Sequence, residues 1–322
     1  GSKTKQRMLS GLASAGSSSG SRIWPQLGHA GALAYGPISQ PAGPSCLDVE
    51  GLRCDVLSQP TIEALPMMYA AAAERARVNG FSGVQVHAGH GFLLSQFLSP
   101  LFNRRSDRYG GSIEARTQII LDVVRQIRVE VGPDFAIGVR VNSSDQLEGG
   151  LTEDDALVAV ELIGRESVDL IDISGGTYFP GAASSSDRRT DGPYFVDFAR
   201  RARTVTDAPL MLTGGFKTRQ QAAEAVAAGH TDLVGLARAM VIDPKLSSVW
   251  LGASGSSDPQ FPRFASTPPG GVTAWYTMRL TDLAMHSEAT STRSVDAALR
   301  EFENRDANRV ATWSEHFKTP SA

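Results

Sequence analysis

Between residues 81 and 236 the chain switches repeatedly from short runs of aliphatic and β-branched residues to longer stretches whose apolar positions recur at helical spacing. Strands are expected at 84–87, 135–141, 169–174, 210–213 and 232–236, and helices at 61–79, 113–131, 153–165, 194–206 and 219–228. The helix at 113–131 carries Ile119, Ile120, Val123, Val124 and Ile127 on one face, and Gly132-Pro133 stops it. An earlier strand is expected at 22–27, although Pro25 fits only at a strand end because it has no N–H for a ladder. Strands that alternate strictly with helices run parallel and are joined by right-handed crossovers. The count is six βα units where a closed barrel needs eight, which points to an α/β fold of (β/α)8 TIM-barrel type, with no candidate strand before Arg22.

The rest of the chain is less regular. Met8, Leu9 and Leu12 followed by Ala, Gly and Ser suggest a helix end, and Gly1-Ser2 reads like the remnant of a cleaved tag. Residues 36–60 are rich in Pro, Gly and Ser without an apolar period, so a long loop that could serve as a lid is expected there. After Asp243-Pro244 the pattern lapses until helices at 275–286 and 294–304. The expected organisation is one TIM-barrel-type domain over 1–322, with the barrel portion at 8–250 and a C-terminal extension at 251–322.

Composition excludes several classes of function. With 41% hydrophobic and 20% charged residues and a net charge of −3, the chain is globular and has no electrostatic footprint for nucleic acid or an anionic membrane. No apolar run approaches a membrane span, the first residues lack a signal peptide, and a cytoplasmic address is the simplest expectation. Cys46 and Cys54 are too few for a disulfide scaffold and are expected as free thiols in the loop.

The strand at 84–87 runs into a polar, glycine-broken turn, His87-Ala88-Gly89-His90-Gly91. A turn at that spacing can aim both imidazoles at one small target. Two N–H donors converging on a carbonyl oxygen would polarise it and stabilise charge that develops there. The blander reading is an ordinary hydrogen-bonded histidine at a strand end, and zinc competes for the same spacing, although no Cys, Asp or Glu follows at ligand spacing. In a barrel of parallel strands the reactive face lies at the C-terminal strand ends, where Gln26, His87, His90, Arg140, Gly214, Gly215, Gly235 and Arg238 all fall. Arg140 lies within a strand and needs a partner, either an anionic ligand or a salt bridge inside the barrel. Thr213-Gly214-Gly215-Phe216 and Gly235-Leu236-Ala237-Arg238 end the last two strands, where barrel enzymes commonly grip phosphate through backbone N–H groups.

The continuation Phe92-Leu93-Leu94-Ser95-Gln96-Phe97-Leu98-Ser99-Pro100, followed by Asn103-Arg104-Arg105-Ser106-Asp107-Arg108-Tyr109-Gly110-Gly111-Ser112-Ile113-Glu114, closely resembles the signature of the old yellow enzyme family of FMN-dependent NAD(P)H oxidoreductases. The resemblance covers about residues 20–250. It implies bound FMN, NADPH or NADH as hydride donor, and reduction of the activated C=C bond of an α,β-unsaturated carbonyl compound. By the same resemblance His87 and His90 hold the carbonyl, Gln26 meets the flavin ring, and Gly214, Gly215, Phe216, Gly235 and Arg238 hold its phosphate; Arg140 is expected to bind the cofactor as well, with an anionic flavin or a phosphate as its partner. The family has two further strands ahead of the one containing Gln26, so the resemblance implies a TIM barrel that is N-terminally truncated, with about six βα units present. One position departs from the pattern: ene-reducing members carry a proton-donating tyrosine where this chain has Phe92. Tyr178 is then a candidate donor; a redox-neutral isomerase on the same site and a flavin-free binding or rearrangement protein are the alternatives. The expected partner is a small enone-type molecule, with no nucleic acid and no membrane, and self-association into a homo-oligomer stays open.

Overall fold

Strand order decides between the two common ways of building a parallel sheet, and here it is strictly sequential. A computed structural model describes residues 2–179, 182, 192–252, 258–264, 267–287 and 293–317. In chain order it contains α1 (Ser2–Ser17), β1 (Gln26–Leu27), a 3-10 turn (Gly31–Leu33), β2 (Ala42–Gly43), β3 (Leu47–Val49), β4 (Leu52–Val56), α2 (Gln59–Val78) and β5 (Gly83–Ala88). Then come α3 (Leu93–Leu98), α4 (Ile113–Val131), β6 (Ala136–Asn142), α5 (Glu153–Gly164), β7 (Leu170–Ser174), α6 (Val196–Ala202), β8 (Leu210–Thr213) and α7 (Arg219–Ala227). The series closes with β9 (Leu233–Gly235), α8 (Arg238–Ile242), α9 (Leu246–Leu251), α10 (Gly271–Ala284) and α11 (Val295–His316).

Six strands pair in the order β1-β5-β6-β7-β8-β9, every pair parallel. A doubly wound sheet reverses direction partway and places helices on both faces. Sequential order with crossovers of one hand keeps the helices on one face, which is barrel-wall construction and agrees with the TIM-barrel expectation. The helix-facing strand positions are Val84 and Val86, Ile137 and Val139, Ile171 and Ile173, Leu210 and Leu212, all with no exposed surface. They share one core with Ile119, Ile120, Val123 and Ile127 of α4, Val160 and Ile163 of α5, and Phe198 of α6. Each buried aliphatic side chain of this kind contributes about 1.5–3 kcal/mol.

Local chemistry explains most element ends. Ser58, Ser112 and Thr152 cap α2, α4 and α5 by accepting from a backbone N–H in the first turn, and Thr218 and Gln221 form a capping box on α7. Several expectations need correction. The strand expected over 22–27 shortens to two residues, because Pro25 lacks an N–H and Trp24 turns onto the sheet. The long loop expected over 36–60 instead contains a second sheet, with β4 pairing parallel to β2 and antiparallel to β3. Cys54 consequently lies buried in β4, while Cys46 is exposed outside a strand. The helix expected over 194–206 is confined to Val196–Ala202, and α11 runs on to His316. Among the described residues, no helix is long and apolar enough to cross a membrane.

Candidate active site

The face of the sheet away from the helices begins with bulk and ends in polarity. Near the N-terminal ends of β5 and β6, the indole of Trp24 lies where side chains at Gly83 and Gly138 would project, the ideal Cβ positions standing 2.7 and 3.2 Å from it. Toward the C-terminal ends the same strands present polar side chains that hydrogen-bond to one another. Gln26 Nε2 donates to Gln85 Oε1 at 2.7 Å, and Gln85 Nε2 donates to Asp172 Oδ2 at 3.0 Å. Thr213 Oγ1 donates to Asp172 Oδ1 at 2.7 Å, and Arg140 faces the same carboxylate at 3.3 Å. Arg140 also donates to Ser174 Oγ at 2.9 Å. This network crosses five strands, from β1 to β8.

Asp172 is fully buried and receives donors from three directions, so it acts as an acceptor. Burial pushes its carboxyl up, against the pull of the Arg140 guanidinium and of the two hydrogen bonds. Arg140 therefore does have an ion-pair partner inside the barrel wall. Its Nε is nevertheless buried without a hydrogen-bond partner, which leaves one guanidinium donor for something else.

The histidine pair adjoins this network. His90 Nε2 lies 3.1 Å from Ser174 Oγ, and His90 Nδ1 lies 3.2 Å from His87 Nε2. His87 Nδ1 is buried without a partner. Each ring spends one nitrogen on the other, so a carbonyl that took an N–H from both would replace that shared bond. Burial and the nearby Arg140 charge lower His87 to about 4; burial, Arg140 and His87 lower His90 to about 3. Both imidazoles are neutral at pH 7.

Phe92 and Tyr178 stand beside the pair. The Phe92 ring centroid is 5.2 Å from that of His87 and 5.8 Å from that of Tyr178, which itself lies 6.0 Å from His90. Tyr178 is 65% exposed and its ring reaches the only hydroxyl among these four. Its other side borders a cavity of about 330 Å³ between the 3-10 turn and the β3–β4 hairpin, lined by Leu33, Pro41, Gly51, Leu52 and Arg53. A larger groove of about 800 Å³ runs along α11, lined by residues of that helix and the following Phe317, far from these strand ends in sequence. Volume is therefore a poor guide here, because the larger space meets none of the converging polar groups.

At the last two strands Thr213 and Gly235 are in register, and a Cβ at Gly235 would lie 1.9 Å from Thr213 Oγ1. Gly214 and Gly215 have φ of +130° and +82°, a region that side chains rarely adopt. Both lie against Tyr194, whose N–H donates to Gly214 O at 3.2 Å and whose hydroxyl accepts from Arg238 at 3.5 Å. Gly214, Gly215 and Arg238 thus meet around Tyr194, while Phe216 packs into the hydrophobic core.

Sequence reasoning missed Gln85, Asp172, Asn142 and Tyr194. Asp172 between Ile171 and Ile173, and Gln85 between Val84 and Val86, are polar residues at alternating strand positions, and that alternation was the available signal. The motif after α3 is largely structural. Asn103 Nδ2 donates to the carbonyls of Phe97 and Tyr109, each at 2.7 Å, and buried Arg116 pairs with Asp155 at 2.7 Å. Gln96, also buried, donates to Ala30 O and Gly91 O and accepts from the Ala32 N–H, tying the histidine turn to the 3-10 turn.

Known proteins resemble this chain in sequence and in fold. Residues 7–249 match the model of the NADH:flavin oxidoreductase / NADH oxidase family. The NADH-dependent flavin oxidoreductase iliE of Neonectria sp. (strain DH2) is 42% identical over 202 residues, which is 59% of this chain and 26% of that protein. An NADPH dehydrogenase of Bacillus licheniformis is 34% identical over 233 residues, 70% of this chain and 65% of that protein. Among solved structures, a 2-naphthoyl-CoA reductase in complex with 2-naphthoyl-CoA superposes with a TM-score of 0.69 at 27% identity, covering 76% of this chain and 40% of that one. The chain spans less than two thirds of the length of each of these relatives. With the family model matching well over half of its length, the chain belongs to the NADH:flavin oxidoreductase / NADH oxidase family.

Proposed function

We propose that the chain forms the flavin- and substrate-binding part of an FMN-dependent oxidoreductase that uses NADH or NADPH to reduce the activated C=C bond of α,β-unsaturated carbonyl compounds. The observation that carries this reading is a junction of two chemistries: Arg140, with its unpartnered buried Nε, stands one serine hydroxyl away from two neutral imidazoles. The residues present fit a flavin. Arg140 and the Gln26 amide offer donors suited to the acceptor-rich edge of its ring, and Arg238 and the Tyr194 hydroxyl offer donors near Gly214 and Gly215 for its phosphate. Bound FMN, once reduced, would supply hydride to the substrate's β-carbon.

The chain's own residues supply the rest. A neutral imidazole donates an N–H without delivering a full charge, so His87 and His90 polarise the carbonyl and stabilise negative charge that develops on its oxygen. Phe92 lacks the hydroxyl that would protonate the α-carbon, and Tyr178 is the hydroxyl-bearing ring beside it. The remainder of the substrate has the 330 Å³ cavity under the β3–β4 hairpin, within the range of small-molecule sites.

The test is reduction of a simple cyclic enone by protein supplied with FMN and NADH or NADPH. General-acid catalysis contributes about 10²–10⁴-fold, so Tyr178→Phe should cost a large part of that range and Phe92→Tyr should recover it. A wild type that consumes little NAD(P)H, is indifferent to Tyr178→Phe and gains reduction with Phe92→Tyr would favour a second reading, redox-neutral isomerisation. The absence of a donor hydroxyl at Phe92 is what keeps that reading alive.

A further inference from the structure

The His90 turn is held in a backbone conformation that its own residue type disfavours. His90 has φ +60°, and it is flanked by glycines with no room for a side chain. A Cβ at Gly89 would stand 2.9 Å from Asn142 Oδ1, and one at Gly91 would stand 2.1 Å from Thr177 Oγ1. Left-handed backbone at a non-glycine residue persists only where surrounding contacts over-determine it. The His90 N–H donates to Asn142 Oδ1 at 2.9 Å, and the His90 carbonyl accepts from the Tyr178 N–H at 3.2 Å. Asn142 itself, at the end of β6, has no exposed surface.

The same amide reaches a second segment. Asn142 Nδ2 donates to Gly176 O at 2.9 Å, with Asp145 Oδ1 at 3.5 Å. Its two partners fix its orientation, since an N–H can only donate and a carbonyl can only accept. We propose that Asn142 is a positioning residue: its amide clamps His90 in left-handed backbone and, from its other end, fixes the Gly176–Tyr178 segment. One buried side chain thereby sets the carbonyl-binding imidazole and the candidate proton donor against each other. The functional weight of this rests on the reading of His90 and Tyr178 given above, but the clamp can be tested without flavin or substrate.

Without the Asn142 oxygen, the His90 N–H would need water, and relaxation out of left-handed backbone would swing the ring away from Ser174 and His87. The groups facing His90 are His87, Arg140, Ser174 and Tyr178, and burial among them holds its imidazole near 3. The experiment is a proton NMR titration of the flavin-free protein, with His90→Gln identifying the His90 signal among the six histidines. In Asn142→Ala, with circular dichroism showing a folded protein, His90 should titrate on the order of one pH unit or more closer to its ordinary value. A folded Asn142→Ala whose His90 titrates as in the wild type would overturn the proposal. Asn142→Asp, combined with Asp145→Asn so that no second carboxylate faces it, guards against a variant that does not fold, because the ionised side chain keeps the acceptor for His90 but cannot donate to Gly176. By amide hydrogen exchange, this double variant should keep the His90 amide protected and speed the Tyr178 amide about tenfold or more; both unchanged, or both lost together, would contradict it.

Discussion

On the helix-covered face of the six-stranded sheet, Val84, Val86, Ile137, Val139, Ile171, Ile173, Leu210 and Leu212 are sealed from solvent and bring no polar side-chain atom. On the other face, the alternating positions carry Gln85, His87, Arg140, Asp172, Ser174 and Thr213, joined by hydrogen bonds and one ion pair. The first face is stabilised by area, a property spread over many residues. The second holds charges out of water, where the loss of one partner strands another. Stability therefore belongs mainly to one face and chemistry to the other, and the two should fail differently when broken.

The largest effect is expected on the helix-covered face. Val139→Asp buries an unpaired carboxylate among α4 and α5 side chains and should leave no cooperative unfolding transition by circular dichroism. Next comes the polar face: Arg140→Leu strands the buried Asp172 carboxylate and should cost about 3–5 kcal/mol in a urea titration. Adding Asp172→Asn should restore most of that loss. The apolar face offers no such rescue by a second polar change.

A pH titration sharpens the contrast. His87 and His90, at about 4 and 3 in the folded protein, lie below the unfolded value of 6.5, so the unfolded chain binds more protons as acid is added. Their stabilising contribution is present above pH 6.5 and is lost as pH falls toward 4, by up to about 1.4 kcal/mol per pH unit per histidine. Burial pushes Asp172 the other way and offsets part of this. Urea midpoints at pH 7, 6 and 5 should fall in the wild type and stay flatter in His87→Gln/His90→Gln. A smaller change, Thr213→Val, removes one donor to Asp172 and should cost about 1–2 kcal/mol, with Asp172→Asn lessening the penalty.

The two faces also differed in how far they could be read from sequence. Helix-facing positions follow a local period, so β8 over 210–213 and α4 over 113–131 were placed to the residue. The histidines, Arg140 and the glycines were legible because they stand at strand ends and, by resemblance, within a motif. Their wiring was not, since Gln26, Gln85, Asp172 and Thr213 meet only through the register of β1, β5, β7 and β8. The 36–60 region was misread for a related reason. β2 and β3 are two and three residues long, too short to show a period, and exist only because both pair with β4. Phe216, expected at the phosphate, packs into the hydrophobic core directly after the two positive-φ glycines.

A flavin site at the strand C-termini would make the polar face more than a buried ion-pair network. FMN titration followed by quenching of flavin fluorescence tests it on wild type and Arg140→Leu/Asp172→Asn, a pair chosen to have similar unfolding midpoints. Saturable binding to the wild type and at least tenfold weaker binding to the double variant are expected, because the guanidinium donor is gone while the fold is kept. Equal FMN affinity in the two proteins, or no saturable binding to the wild type, would contradict it and leave Arg140 as a structural partner of Asp172.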